Sequence, residues 1–189
     1  MGLLARVREW LAGEPVGREA SAEPACEAAG SAAGRGATPT DEAMMVLALD
    51  LARQAAAVGE VPVGAVVYET AKGRVIGQGH NRREIDRDPA AHAELLAIRA
   101  ASAARGDWRL ADCTLVVTLE PCPMCAGLIV NARVGRLVFG ASDPKAGATG
   151  TLMRLTEDAR LNHRVVPIGG VMAEESAAEL RAFFKRLRG

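Results

Sequence analysis

Two short segments hold the residues best suited to chemistry: His92-Ala93-Glu94 and Pro121-Cys122-Pro123-Met124-Cys125. Two thiols and one imidazole make a set of three soft donors. Cys122 and Cys125 are three apart, so on a helix they share a face. In its first turns the positive end of the helix dipole favours thiolates. Such donors suit zinc, and three protein ligands leave the fourth tetrahedral position open to water, the arrangement of catalytic rather than structural sites. Water held there ionises near neutrality. Glu94 follows His92 by two residues, about 200° round a regular helix, which disfavours joint chelation of one ion. Its expected part is that of a general acid and base beside the metal.

Taken alone, Cys122-x-x-Cys125 also describes a redox pair or half of a structural zinc knot. A redox pair has no need of His-Ala-Glu upstream. A knot wants a fourth Cys or His: Cys26 lies in a linker-like stretch and Cys113 beside a strand, which leaves His80 and His163. His163 has no partner at ligand spacing and is not counted as one.

The elements that must position these groups are legible from periodicity. Thr40 is expected to cap a helix with Asp41 and Glu42 in its first turn and Met44, Leu47, Leu51 and Ala55 on one face. Val61 to Glu69 and Arg74 to Asn81 read as two strands, joined through Thr70-Ala71-Lys72-Gly73 as a hairpin. Asp88 is expected to cap the helix that carries His92 and Glu94, with Pro89 at its first position. Beyond it follow a strand Thr114 to Leu119, a helix from Pro121 to about Ala132 and a strand Arg136 to Gly140. A short helix near Leu152, a strand Arg164 to Ile168 and a helix Glu174 to Leu187 complete the pattern. Such alternation favours right-handed crossovers and an α/β sheet covered by helices on both faces.

Composition bounds the class. The chain of 189 residues is 49% hydrophobic, enough to build a core without disulfides or a structural metal. Residues 12 to 40, rich in Ala, Gly and Glu with Val16 as the single large aliphatic, read as a linker. Ahead of them Leu3, Leu4, Val7, Trp10 and Leu11 recur at helical spacing. Residues 1–40 are therefore expected to be a disordered or linker extension, and 41–189 the folded domain. Net charge is zero, so any nucleic-acid contact must come from local patches rather than a global basic field. Only Lys72, Lys145 and Lys185 are lysines. Four cysteines are too few for a secreted disulfide scaffold, and no apolar stretch reaches the roughly 18 to 20 residues of a membrane span. The first residues carry no export or lipidation pattern. A reducing, cytoplasmic setting is expected.

At its chemistry-bearing residues the chain resembles the cytidine-deaminase-like superfamily, and within it the bacterial deaminases that act on adenosine in tRNA. The resemblance runs from about Asp41 to Arg188. Beyond the metal motif it takes in Val61-Pro62-Val63-Gly64-Ala65-Val66, Gly79-His80-Asn81-Arg82, Asp88-Pro89-Ala90-Ala91-His92-Ala93-Glu94 and Phe139-Gly140-Ala141-Ser142-Asp143-Pro144-Lys145. It continues through Gly150-Thr151-Leu152-Met153, Asn162-His163-Arg164 and Phe183-Phe184-Lys185-Arg186. Ala90 stands where Thr is usual and Thr151 where Ser is common. Neither departure touches the metal ligands.

What the resemblance implies is a three-layer α/β/α fold around a mixed, roughly five-stranded sheet. One Zn2+ per subunit would be held by His92, Cys122 and Cys125, in a homodimer. The implied reaction is hydrolytic conversion of adenosine to inosine at the wobble position of a tRNA anticodon. Glu94 would move the protons, and a flipped base would be read by Asn81 and the main chain of Ala65. Asn81 offers both a donor and an acceptor, as a purine edge requires. Candidate RNA contacts are Asp143, Lys145, Asn162, His163, Arg164, Phe184, Lys185 and Arg186. In the last helix Arg181, Lys185, Arg186 and Arg188 follow one another with no acid after Glu179. This suits phosphate contact, with Phe183 and Phe184 available for packing or base stacking. The metal motif equally serves a deaminase of a free base or nucleoside, such as guanine, cytosine or cytidine. A non-catalytic RNA-binding subunit is the reading from another class, and the intact Glu94 stands against it.

Overall fold

A computed structural model describes residues 36–188. The helical spacing read at Leu3 to Leu11 and most of the expected linker lie outside the described residues. The first helix, α1 (Pro39–Ala57), starts earlier than expected. Thr38, not Thr40, is its cap: the Thr38 hydroxyl accepts the Asp41 N–H, and the Asp41 carboxylate accepts the Thr38 N–H at 2.6 Å, with Pro39 at the first helical position. This reciprocal box satisfies more of the free amides than a cap at Thr40 would. Asp41 is also fully buried, taking hydrogen bonds from Tyr68 at 2.7 Å and from Arg136, so the first turn of α1 is tied to the sheet.

The buried stripe of α1 is Met45, Ala48, Leu49, Ala52 and Ala55, whereas the expected Leu47 faces outward and Met44 and Leu51 only border the core. Size rather than hydrophobicity selects the face. α1 lies so close to the sheet that a Cβ on Gly64 would stand 2.0 Å from the Ala48 carbonyl oxygen, and only small residues permit that approach.

The strands are β1 (Gly64–Glu69), β2 (Arg74–His80), β3 (Cys113–Leu119), β4 (Arg136–Ala141) and β5 (Pro167–Ile168). They form one five-stranded sheet in the order β2-β1-β3-β4-β5. β1 is antiparallel to both neighbours, while β3, β4 and β5 run parallel, so the sheet is mixed as expected. The β1–β2 hairpin turns at Gly73, whose φ of +65° suits glycine. β5 is shorter than Arg164–Ile168. Before it the chain bonds to loops instead of to β4: His163 Nε2 to the Val134 carbonyl, and the Val165 N–H to Thr156.

Helices α3 (Ala93–Arg105) and α4 (Pro123–Asn131) cover one face, over a core of Ala65, Val67, Ile98, Leu115, Val117, Ile129 and Phe139. α1 covers the other, over Val66, Tyr68, Val116 and Val138, and α5 (Ala173–Arg188) packs beside it against β4. The result is a three-layer α/β/α sandwich. A single helical turn, α2 (Arg83–Asp86), precedes α3. The helix expected near Leu152 is absent; the segment turns through a bridge between Thr149 and Arg154 and ends in a 3-10 turn at Leu155–Glu157. Among the described residues no helix is long and apolar enough to cross a membrane.

Candidate metal centre and active site

The N-termini of α3 and α4 meet at the carboxyl end of β3. Asp88 does not cap α3: its carboxylate closes a local turn by accepting the Ala90 N–H at 2.8 Å. α3 begins at Ala93, with His92 in extended conformation at the cap position. His92 makes no capping bond, which leaves its ring free to turn toward the cysteines. α4 begins at Pro123 rather than Pro121, with Cys122 at its cap and Cys125 one turn on. Two positive helix ends thus converge on two sulfurs.

The ligand atoms of His92, Cys122 and Cys125 all lie within 4.8 Å of one another, and no other such group of His, Cys, Asp or Glu occurs among the described residues. Tetrahedral zinc, with bonds of about 2.3 Å to sulfur and about 2.0 Å to nitrogen, separates a sulfur from a nitrogen ligand by about 3.5 Å. His92 Nδ1 lies 3.7 Å from Cys122 Sγ and 3.6 Å from Cys125 Sγ. The residues therefore fit zinc, with Nδ1 as the imidazole's ligand atom. Among the described residues the knot alternative finds no fourth donor. His80 Nδ1 is bonded to the Asn81 carbonyl, His163 to Val134, and Cys113 is buried against Arg105.

Hydrogen bonding from Cys125 and from His92 lowers the Cys122 thiol to about 4 in spite of burial, so it is a thiolate at neutral pH. Cys125 is pushed up by the same pairing and by burial. Two close sulfurs ionise together only with a cation between them, so Cys125 is the ligand that releases its proton when metal binds. His92, bonded to Cys122, is raised. Glu94 is 4% exposed, beside Cys125, and burial raises its carboxyl above the ordinary value. It stands on the first turn of α3 and is not among the three ligands.

Asn81 is buried just past β2, and its Oδ1 accepts the Ala93 N–H at 3.1 Å. That bond assigns the amide's orientation and leaves Nδ2 as its uncommitted donor. Ala65 is fully buried on β1, opposite Gly79 of β2 and Val117 of β3. The other sequence-derived candidates are spread more widely. Asp143 closes a turn by accepting the Lys145 N–H, and Lys145 projects into solvent. Asn162 and Arg164 are exposed, whereas the His163 ring is tethered to Val134. On α5, Phe183 packs inside and Phe184 is 44% exposed, the two rings meeting edge to face. Arg181 is paired with Glu174, while Lys185, Arg186 and Arg188 are exposed without an acidic partner among the described residues. Sequence reasoning passed over Glu120, a buried carboxylate directly before Pro121-Cys122. Its position next to the motif was a signal; its direction away from the metal ligands was not readable.

With this geometry the chain can be set beside known proteins. A family model for MafB19-like deaminases matches residues 40–188. A tRNA-specific adenosine deaminase of Bacillus subtilis is 49% identical over 148 residues, covering 78% of this chain and 91% of that protein. Among solved structures, one from studies of A-to-I editing by tRNA:A34 deaminases at the wobble position of transfer RNA aligns with a TM-score of 0.70. It is 43% identical and covers 73% of this chain and 99% of its own. A guanine deaminase from Nitrosomonas europaea aligns at 0.67 and 29% identity, covering 79% and 86%. The chain belongs to the MafB19-like deaminases and to the family of the tRNA-specific adenosine deaminases.

Proposed function

We propose that this protein hydrolyses the 6-amino group of adenosine at the wobble position of a tRNA anticodon, leaving inosine and ammonia. The observation that carries the reading is the His92–Cys122–Cys125 triangle at zinc spacing with the buried, non-ligating Glu94 against it. The likeness to proteins of that activity supports the substrate. Zinc held by His92, Cys122 and Cys125 would supply an acidified water and positive charge beside the reacting carbon. Glu94 takes one proton from the attacking water and delivers it to N1 of the purine, then carries the proton of the new C6 hydroxyl to the departing nitrogen. Water adds oxygen at C6, the C6–N6 bond breaks, and ammonia leaves. Asn81 Nδ2 donates to N7, the acceptor on the purine's five-membered ring. The base enters flipped out of its loop, over the exposed sides of His92 and Cys122.

Asp143, Lys145, Lys185 and Arg186 meet the RNA backbone, with Phe184 beside them. The active unit is residues 41–189, working in the cytoplasm where tRNA is processed. It is a homodimer: the exposed Met124 on α4 and an apolar depression of about 340 Å³ lined by Ile98, Trp108 and Leu128 offer the surface for a second copy. The test is to incubate the protein with an anticodon stem-loop carrying a wobble adenosine and, separately, with adenosine, cytidine, cytosine and guanine. Inosine in the stem-loop alone is the expected result; turnover of a free base alone refutes the substrate. Glu94→Ala should keep its zinc and lose turnover, and loss of zinc in that variant refutes the ligand assignment.

A further inference from the structure

Glu120 sits between β3 and the Pro121-Cys122 loop, and the chemistry above makes no use of it. It is buried, yet no lysine or arginine pairs with it among the described residues. A lone buried carboxylate is costly unless its oxygens are fully hydrogen-bonded. Here one segment supplies the donors. One oxygen accepts the N–H groups of Thr149 at 3.2 Å and Thr151 at 2.9 Å and the Thr149 hydroxyl at 3.4 Å. The other accepts the Asp143 N–H at 3.1 Å and the Thr151 hydroxyl.

The segment is fitted around the anion. The Ala148 N–H donates to the Pro121 carbonyl at 2.9 Å, and a Cβ on Gly147 would stand 2.4 Å from the carboxylate. Thr151 stands where Ser is common in the resembling family, and either residue supplies the hydroxyl this carboxylate takes. Residues 143–151 are thus folded onto the residue that precedes the metal loop, and they carry Asp143 and Lys145.

We infer that Glu120 is a positioning residue for the RNA: its carboxylate holds the 143–151 loop, and with it Asp143 and Lys145, in fixed register to the metal ligands. The inference rests on the reading that a structured anticodon loop is the substrate. Replacing an acceptor oxygen with a donor breaks these bonds and frees the loop while His92, Cys122, Cys125 and Glu94 keep their places. In Glu120→Gln, an amide NH2 at either oxygen's position meets backbone donors, so the cradle cannot close.

The experiment uses the full-length zinc protein and an anticodon stem-loop, reading zinc per chain, the denaturant midpoint, and kcat and KM separately. Glu120→Gln should keep its zinc, with KM up about tenfold and kcat within about twofold of the parent. Thr151→Val, which removes only the hydroxyl, should move KM the same way, and Thr151→Ser should restore it. Combined with Lys145→Ala, Glu120→Gln should cost less than the two effects multiplied, because the lysine has already lost its placement. Lost zinc or a fall in kcat at constant KM in Glu120→Gln overturns the inference, as does full multiplicativity with Lys145→Ala. Should Glu120→Gln fail to fold, an unchanged KM in Thr151→Val overturns it just as well. A parent protein that leaves the stem-loop untouched refutes the wobble reading itself, and this inference with it.

Discussion

Gly79→Ala adds one methyl group to β2, and its effect follows from how tightly α3 sits on that strand. A Cβ at Gly79 would stand 2.6 Å from the Ala93 carbonyl oxygen, 2.8 Å from Leu96 Cβ and 2.9 Å from the Ala97 nitrogen, where ordinary contact begins near 3.4 Å. The obstacle is backbone, so the first turn of α3 must lift by about 0.8 Å. Ala93 lies between His92 and Glu94, and its N–H reaches Asn81 Oδ1 at 3.1 Å; the lift stretches that bond beyond useful range. Overpacking of this kind costs about 1–3 kcal/mol of stability. A displacement near 1 Å of a catalytic group costs up to about 100-fold in rate. The assay is kcat on the stem-loop beside urea unfolding and zinc content. Gly77→Ala is the control, since its Cβ would meet Ala97 and Ala101 backbone at 2.3 and 2.7 Å, one turn further from His92. It should cost at least as much stability and less kcat. Equal kcat losses in the two variants, or none in Gly79→Ala, would refute the argument that close backbone approach sets the place of Glu94.

Other consequences can be measured directly. Burial opposes ionisation of Asp41, but Arg136, Thr38 and Tyr68 outweigh it and hold the carboxyl at about 2, below its ordinary 3.8. This group therefore contributes about 2–3 kcal/mol of stability above pH 4, lost as pH falls toward 2. Asp41→Asn should flatten that acid limb and cost about 3–5 kcal/mol at pH 7 by stranding Arg136, read by urea unfolding across pH. If Asn81 donates to N7, Asn81→Ala, which also frees the Ala93 N–H, should slow turnover of both substrates, but by about 10-fold more on a normal stem-loop than on one carrying 7-deazaadenosine. Equal losses on both substrates exclude that contact. Lys185→Ala with Arg186→Ala should weaken stem-loop binding and reduce the slope of log Kd against log salt by about one to two. Removal of residues 1–35 should leave turnover intact, whereas removal of 1–39 also deletes the Thr38 cap and Gly36, whose carbonyl accepts from Arg136, and should lower the urea midpoint.

The donor types in His92-x-Glu94 and Cys122-x-x-Cys125 marked a metal site from local chemistry, and the three ligand atoms do meet within 4.8 Å. The helical spacing assumed for them does not hold, because His92 and Cys122 are extended residues that cap α3 and α4. The strands and most helices were likewise legible, because alternation and apolar periodicity are local signals, whereas the mixed order of the sheet followed from the family resemblance. Tertiary structure alone decided the rest. Periodicity registers hydrophobicity but not how near two backbones come, so it put Leu47 of α1 inward, whereas Met45, Ala48, Leu49 and Ala52 face the sheet and the closest approach, at Gly64, falls on Ala48 and Ala52. A capping residue has rivals that sequence cannot rank: Asp88 closes its own turn, and α3 waits for His92. Asn81 has one free donor because Ala93 claims its oxygen, and Glu120 faces the 143–151 loop rather than the metal because five donors from that loop converge on it. Such partners are far apart along the chain, and only the folded backbone determines which of them meet.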